Sequence, residues 1–288
     1  MTSRPRFGTA GNPIGYKGPT EEVPFFLIEK GLDAYEYQAV RGVRIKEEKA
    51  RILGENAKKC DVLLSLHAPY YINLSSDKKT TYEQSKKRLF DALKAAHWMG
   101  ARLVVFHPGY YGEKNPEEAL KMCIDALKEV LENAEREGIT DVLLGPETTG
   151  KTSQLGTLEE VINMCEEIPR TVPVIDWAHI HARNQGCIAG REDYEKILSL
   201  LEERLGSDVI KNLHCHFTHV AFSESGETEH KTLSDQEYGP KFEPFAEIIV
   251  DWELHPVIIS ESPVLEEDAL KMKGIVESLI KARGKAKK

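Results

Sequence analysis

Six apolar runs in this sequence each end in, or carry, a residue able to bind a metal ion. Leu63-Leu64-Ser65-Leu66 leads to His67, Leu103-Val104-Val105-Phe106 to His107, and Leu143-Leu144-Gly145-Pro146 to Glu147. Val174-Ile175 leads to Asp176, with His179 three residues on, and Val257-Ile258-Ile259-Ser260 leads to Glu261. Another run carries both His214 and His216. Imidazole and carboxylate without thiolate suit Zn²⁺, with Mn²⁺ or Fe²⁺ as alternatives; an all-oxygen set would point to Mg²⁺ or Ca²⁺. These donors outnumber the roughly four that one zinc takes. A cluster of two or three ions uses them better, and ions roughly 4 Å apart clamp the attacking and leaving oxygens of a phosphoester. Glu147, in the middle of the order, is the natural bridging carboxylate. A single histidine at a strand end is more often structural than a ligand; recurrence at six runs is what sets this pattern apart.

Some residues are separated from the set, and others stay open. His97 lies inside a helical pattern and His255 precedes the last run, so both read as structural, while His181 and His219 are ambiguous. Residues two apart on a strand face the same side, so His214 and His216 could both point inward. Glu227, Glu229 and His230 could add a half-site beside His179, against the plainer reading of a solvated acidic turn.

The elements that must position these residues alternate along the whole chain. Strands are expected at Arg6–Ala10, Ala34–Ala39, Val62–His67, Leu103–His107, Val142–Glu147, Val172–Asp176, Ile210–Phe217 and Val257–Glu261. Helical patterns fill the spaces between, among them Tyr82–Met99, Pro116–Glu137, Leu158–Glu167, Glu192–Arg204 and Glu266–Ala282. Eight strand–helix repeats without a Pro/Gly-rich linker predict an α/β fold: a single (β/α)8 TIM barrel spanning residues 1–288, in preference to an open doubly wound sheet. Catalytic residues of such barrels sit at the C-terminal ends of the strands, which is where the candidate ligands fall. Val220–Pro244, polar and turn-rich, reads as a functional loop after the seventh strand.

Composition narrows the class. The 288 residues are 41% hydrophobic and 30% charged, enough for a full core. A formal net charge of −9 argues against a chain that coats nucleic acid indiscriminately, though not against a local basic groove. Met1 to Phe7 contains no stretch apolar enough for a signal peptide, and no run is long enough to span a membrane. The five cysteines are scattered and lack C-x-x-C spacing, as expected of reduced thiols in a cytoplasmic protein. Residues 281–288 form a short basic tail, read as frayed and solvated.

In order and spacing, these segments resemble the endonuclease IV family of metal-dependent abasic-site endonucleases, within the xylose isomerase-like barrels. His67-Ala68-Pro69-Tyr70-Tyr71-Ile72-Asn73-Leu74 is similar to its segment with a metal-binding histidine, a tyrosine and Ile-Asn-Leu, and Phe106-His107-Pro108-Gly109 to its Phe-His-Pro-Gly. Glu147-Thr148-Thr149-Gly150 with Gln154-Leu155-Gly156, Asp176-Trp177-Ala178-His179 and Ser260-Glu261-Ser262-Pro263 resemble further family motifs. The resemblance implies one zinc on His67, His107 and Glu147. A second would be bridged by Glu147 and held by Asp176, Glu261 and His214, with His216 as the alternative. A third would be held by His179 and His230. The family's aspartate two residues before that histidine is Thr228 here, and either Glu227 or Glu229 could take its place. Trp177 stands where the family has a small residue, and the first strand matches loosely, so the chain reads as a divergent branch.

Membership would imply cleavage 5′ to abasic sites in duplex DNA by a metal-activated hydroxide, with Glu147 and Glu261 catalytic and the protein a monomer. The target nucleotide must leave the stack, and Tyr70 and Tyr71 are placed to fill the gap. Arg41, Arg44 and Lys114 are candidate phosphate contacts. The alternative is a sugar isomerase or epimerase on the same barrel, using one or two divalent ions.

Overall fold

The structure is a computed structural model that describes residues 3–286. Eight parallel strands form its centre: β1 (Arg6–Ala10), β2 (Ala34–Gln38), β3 (Leu63–His67), β4 (Leu103–Phe106), β5 (Leu143–Pro146), β6 (Val174–Asp176), β7 (His214–Phe217) and β8 (Val257–Ser260). They are hydrogen-bonded in the order β5-β4-β3-β2-β1-β8-β7-β6. The seam between β5 and β6 is closed by bridges pairing Leu144 with Thr171 and Glu147 with Val174, and by the bond from the Val172 amide to the Leu144 carbonyl at 2.9 Å. The fold is the single (β/α)8 barrel expected from the sequence.

Helices cover the outside: α1 (Val23–Lys30), α2 (Glu47–Cys60), α3 (Lys79–Met99), α4 (Pro116–Arg136), α5 (Leu158–Glu167), α6 (Trp177–Arg183), α7 (Arg191–Leu205), α8 (Ser207–Lys211), α9 (Glu243–Asp251) and α10 (Glu266–Ala286). Their starts follow local chemistry. Asn115 caps α4 by accepting from the Glu118 amide, ahead of Pro116 in the first turn, and Thr157 with Glu160 forms a capping box on α5.

Alternation along the strands sorts side chains into two layers. Outward residues such as Tyr35, Leu64, Val104, Leu144 and Ile258 join the main core under the helices. The barrel interior is different. It holds two small apolar clusters, Ala34–Val257–Ile259 and Leu103–Val105–Val174. Glu36, Ser65, His214 and His216 are also buried, on the strand phases that share the interior.

Three expectations change here. The seventh strand starts at His214, because Ile210 belongs to α8. The stretch after it is not a loop at its start: His219–Ser223 and Gly226–Lys231 pair as an antiparallel hairpin. Residues 281–286, expected to fray, continue α10, and Lys287 and Lys288 lie outside the described residues. All five cysteines are free, and no helix among the described residues is long and apolar enough to cross a membrane.

Candidate metal centre

Glu147 is the hub of the C-terminal rim. It follows β5, is fully buried, and both its oxygens face imidazoles. Oε2 lies 3.1 Å from His67 Nε2 and 3.1 Å from His107 Nε2. Oε1 lies 3.1 Å from His216 Nδ1 and 3.3 Å from His179 Nδ1. Asp176, at the end of β6, caps α6 by accepting the His179 amide on Oδ1 at 2.7 Å. Its other oxygen, Oδ2, is buried with no hydrogen-bond partner, 3.9 Å from His216 Nδ1. Glu261 follows β8 and places Oε1 3.4 Å from the same nitrogen.

The hairpin completes the rim from outside the barrel. Glu227 sits between two imidazoles, with Oε2 3.1 Å from His179 Nε2 and Oε1 3.1 Å from His230 Nε2. Residues three apart on a strand should face opposite sides. Here Val220 pairs with His230, Ala221 with Glu229 and Phe222 with Glu227, so Thr228 is the extra residue of a β-bulge. That bulge returns Glu227 to the face of His230. Glu229 instead points outward and pairs with Lys231 at 2.6 Å.

Five donor groups result among the described residues, each with its atoms within 4.8 Å of one another. Three divide the rim, His67–His107–Glu147, Asp176–His216–Glu261 and His179–Glu227–His230, while Glu147–Asp176–His179 links them and Glu36–His214–His216 lies below. Their electrostatics fit cations. Among the described residues, Glu147, Asp176, Glu227 and Glu261 form ion pairs with histidines alone, never with lysine or arginine. Burial works against the Glu147 carboxylate, but His216, His107 and His179 hold it well below the usual range. Asp176 is raised by burial, only partly offset by His179. His216 and His179 are pushed well above their ordinary value, burial being outweighed by the surrounding carboxylates, and His230 rises to about 9 for the same reason. Protons on these rings occupy the positions that cations would compete for.

Three rings are also held in one tautomer. His67 Nδ1–H donates to the Ala68 carbonyl at 2.8 Å, His179 Nδ1–H to the Thr148 carbonyl at 2.8 Å, and His230 Nδ1–H to the Glu261 carbonyl at 3.0 Å. A carbonyl can only accept, so Nε2 of each ring is the atom left to face the centre.

The remaining expected residues fall as follows. His214 is one step deeper than the rim and pairs with Glu36 at 3.0 Å, so His216, not His214, joins Asp176 and Glu261. Tyr70 and Tyr71 are 47% and 59% exposed at the mouth, and the Tyr70 ring lies 5.5 Å from His67 and 5.6 Å from His107. Arg41 and Arg44 are exposed in the turn after β2. Lys114 is no free phosphate contact, because it pairs with Asp77. His97 pairs with Asp141 at 2.7 Å on the outside. His181 lies behind the hairpin, where it accepts from the Ile188 amide, and His219, the hairpin's first residue, lies 3.1 Å from the Asp235 carbonyl. Sequence reasoning missed Glu36; its signal was a carboxylate on the inward phase of β2, between two tyrosines.

The fold agrees with comparison to known proteins. The chain belongs to the xylose isomerase-like TIM barrel family, whose model matches residues 26–271. An uncharacterised protein of Methanocaldococcus jannaschii, MJ0133, is 34% identical over 92% of this chain and 94% of its own length. A probable endonuclease 4 of Oceanobacillus iheyensis is 30% identical over 52% of this chain, and the match spans only 50% of that relative. Endonuclease IV of Thermus thermophilus superposes with a TM-score of 0.69 at 22% identity, covering 95% of this chain and all of that one. An L-ribulose 3-epimerase shares the fold comparably, with a TM-score of 0.67 at 16% identity over 98% of this chain and 97% of that one.

Proposed function

We propose that this protein is a metal-dependent endonuclease that cleaves the phosphodiester 5′ to abasic sites in duplex DNA, acting as a cytoplasmic monomer. The observation that carries this reading is the third donor group. His179, Glu227 and His230 stand beside a rim that already offers six donors, Glu147 among them. A one- or two-ion isomerase has no use for them, whereas three ions suit phosphodiester chemistry.

Bound divalent ions, zinc in this reading and Mn²⁺ or Fe²⁺ otherwise, would neutralise charge developing on phosphoryl oxygens and make water nucleophilic at neutral pH. His67, His107 and Glu147 would hold one ion, Glu147 with Asp176, His216 and Glu261 a second, and His179, Glu227 and His230 a third. The protein's own part is positional. Glu147 fixes two donor groups in register through its two oxygens, and Glu261, the most open carboxylate of the inner set, orients the attacking water. Tyr70 and Tyr71 fill the gap left by the extruded nucleotide. Arg41 and Arg44 meet the backbone phosphates from the neighbouring turn.

Incision of a duplex carrying one stable abasic analogue tests the reading. Nicking 5′ to the lesion, abolished by a chelator and restored by zinc, supports it. Intact DNA with fully metallated protein sinks it. The second reading, a sugar epimerase, draws on the inner set alone, since Glu147, Asp176, His216 and Glu261 suffice for one ion. Turnover of a ketose with a single metal per chain would favour it.

A further inference from the structure

Three rim imidazoles are held from behind by a backbone carbonyl, and His216 breaks this pattern. Its Nδ1 faces Glu147 at 3.1 Å, and its outward nitrogen, Nε2, lies 3.0 Å from Oε1 of Glu36. Glu36 stands on β2, below the rim, and is fully buried. Its Oε2 accepts from the Ser65 hydroxyl at 2.8 Å and from His214 Nε2 at 3.0 Å. Its Oε1 accepts from the Gln38 amide at 3.2 Å. A carboxylate offers about four lone-pair sites, so three built-in donors leave one place, and His216 Nε2 is the group next to it. The approach is close but not in line with the N–H, because the ring is also drawn by Glu147 on its other edge.

We propose that Glu36 is a positioning residue for the metal centre. Its carboxylate draws the Nε2–H of His216 and so presents Nδ1 to the site, with Ser65, Gln38 and His214 holding Glu36 in place. This rests on the metal-centre reading above. Two arguments carry it beyond mere packing. Barrel interiors are ordinarily filled by branched aliphatic side chains, and burying a carboxylate costs desolvation unless it is fully paired. Glu36 and its partners instead stand among the two small apolar clusters of the interior, where they bring a full charge up to the back of one rim imidazole. A buried carboxylate also attracts the His216 imidazole through its full charge, where His67, His179 and His230 are met from behind by neutral carbonyls. His216 would therefore be the one imidazole of the centre oriented from behind by a charge, on the inner donor group that Glu147 shares.

Cobalt(II) in place of zinc gives a test independent of turnover. Wild type, Glu36→Gln, Glu36→Asp and Ser65→Ala would be loaded with Co²⁺ and compared in metal content, visible spectrum and rate of release into a chelator. The Glu36→Gln variant keeps an acceptor but loses the charge. We expect it to retain the wild-type number of ions at saturation, to shift the visible bands, and to release part of the cobalt about 10- to 100-fold faster, the usual cost of losing an outer-shell partner. Ser65→Ala, which leaves the carboxylate in place, should move release in the same direction by less. It carries the test if Glu36→Gln fails to fold. Release and spectrum unchanged in all variants would overturn the proposal. Loss of one whole ion in Glu36→Gln would also overturn it, making Glu36 a ligand. A wild-type chain that takes up no cobalt would instead sink the metal reading itself, and this inference with it.

Discussion

The barrel strands and the hairpin 219–231 deliver donors to one pocket by different means. His67, His107, Glu147, Asp176, His216 and Glu261 sit at or just past the ends of parallel strands, whose positions are fixed by the ladder on both sides. Glu227 and His230 come from a two-stranded ribbon outside the parallel ladder, joined to the segment after β5 by the bridge of Lys151 to Gly226 and the bond from the Glu227 amide to the Gly150 carbonyl at 3.0 Å. A ladder sets a side chain's height to within one pleat, whereas the ribbon needs a bulge to aim two residues at one point. The strand set should therefore be the rigid part of the centre, and the hairpin set the part that is adjusted or lost first.

The largest effect is expected where the two sets meet. Glu147→Gln removes the charge that faces four imidazoles, so incision should fall by at least about 10³-fold, with more than one ion lost. Metal analysis beside the nicking assay checks this. A variant that keeps all its ions and most of its activity would show that Glu147 is not the hub.

Next come the hairpin residues. Glu227→Ala or His230→Ala should remove one ion per chain and leave the rest, with activity down about 10²-fold. Thr228→Asp should not rescue Glu227→Ala, because the bulge turns residue 228 away and its hydroxyl donates to the Ala221 carbonyl at 2.9 Å. Rescue would mean that the bulge relaxes and that the ribbon is not set as described. Loss of every ion in Glu227→Ala would erase the contrast between ladder and hairpin.

What the sequence made legible follows the same division. Each strand set its own signal, an apolar run closing on His, Asp or Glu, and the barrel and most of its rim could be read from those runs. His214 and His216 could not be separated that way. Both do face inward, but they differ in depth by two residues, about 6.6 Å along a strand, and only His216 reaches the height of Glu261. Glu36 was overlooked because a lone carboxylate amid Tyr35 and Tyr37 carries no motif; only pairing β2 to β3 sets it beside Ser65. The hairpin was opaque because the bulge at Thr228 shifts the two-residue period, so Glu227 and Glu229 could not be ranked.

Gly150 offers a finer test at the junction. A Cβ there would stand 2.6 Å from Glu227 Oε2 and 2.8 Å from His179 Cδ2, closer than atoms tolerate. Gly150→Ala should push Glu227 off His179 and weaken only the hairpin ion, by roughly 10-fold in affinity, near the lower end for disturbed outer contacts. Equal weakening of the strand-held ions would show that the two sets are not separable.

The smallest expected effect concerns how the hairpin is seated. His181 lies beneath it, against the Phe222 ring at 5.6 Å, with Nδ1 accepting from the Ile188 amide at 3.2 Å. Burial, with the nearby His219, lowers its pKa from 6.5 to about 4. The sign follows from linkage: between those values the unfolded chain takes a proton that the folded chain refuses. This contribution is thus complete above about pH 6.5 and is lost as pH falls toward 4. Because the ring is partly in reach of solvent, we expect about 1 to 2 kcal/mol across that window. Asn can accept from the Ile188 amide without titrating, so His181→Asn should flatten this part of the stability profile. Denaturant midpoints at pH 7 and pH 4.5 measure the slope, and amide exchange locates it. Early exchange confined to residues 219–231 on acidification keeps the hairpin as the weaker partner; exchange that spreads at once through the parallel ladder would make hairpin and barrel a single cooperative unit.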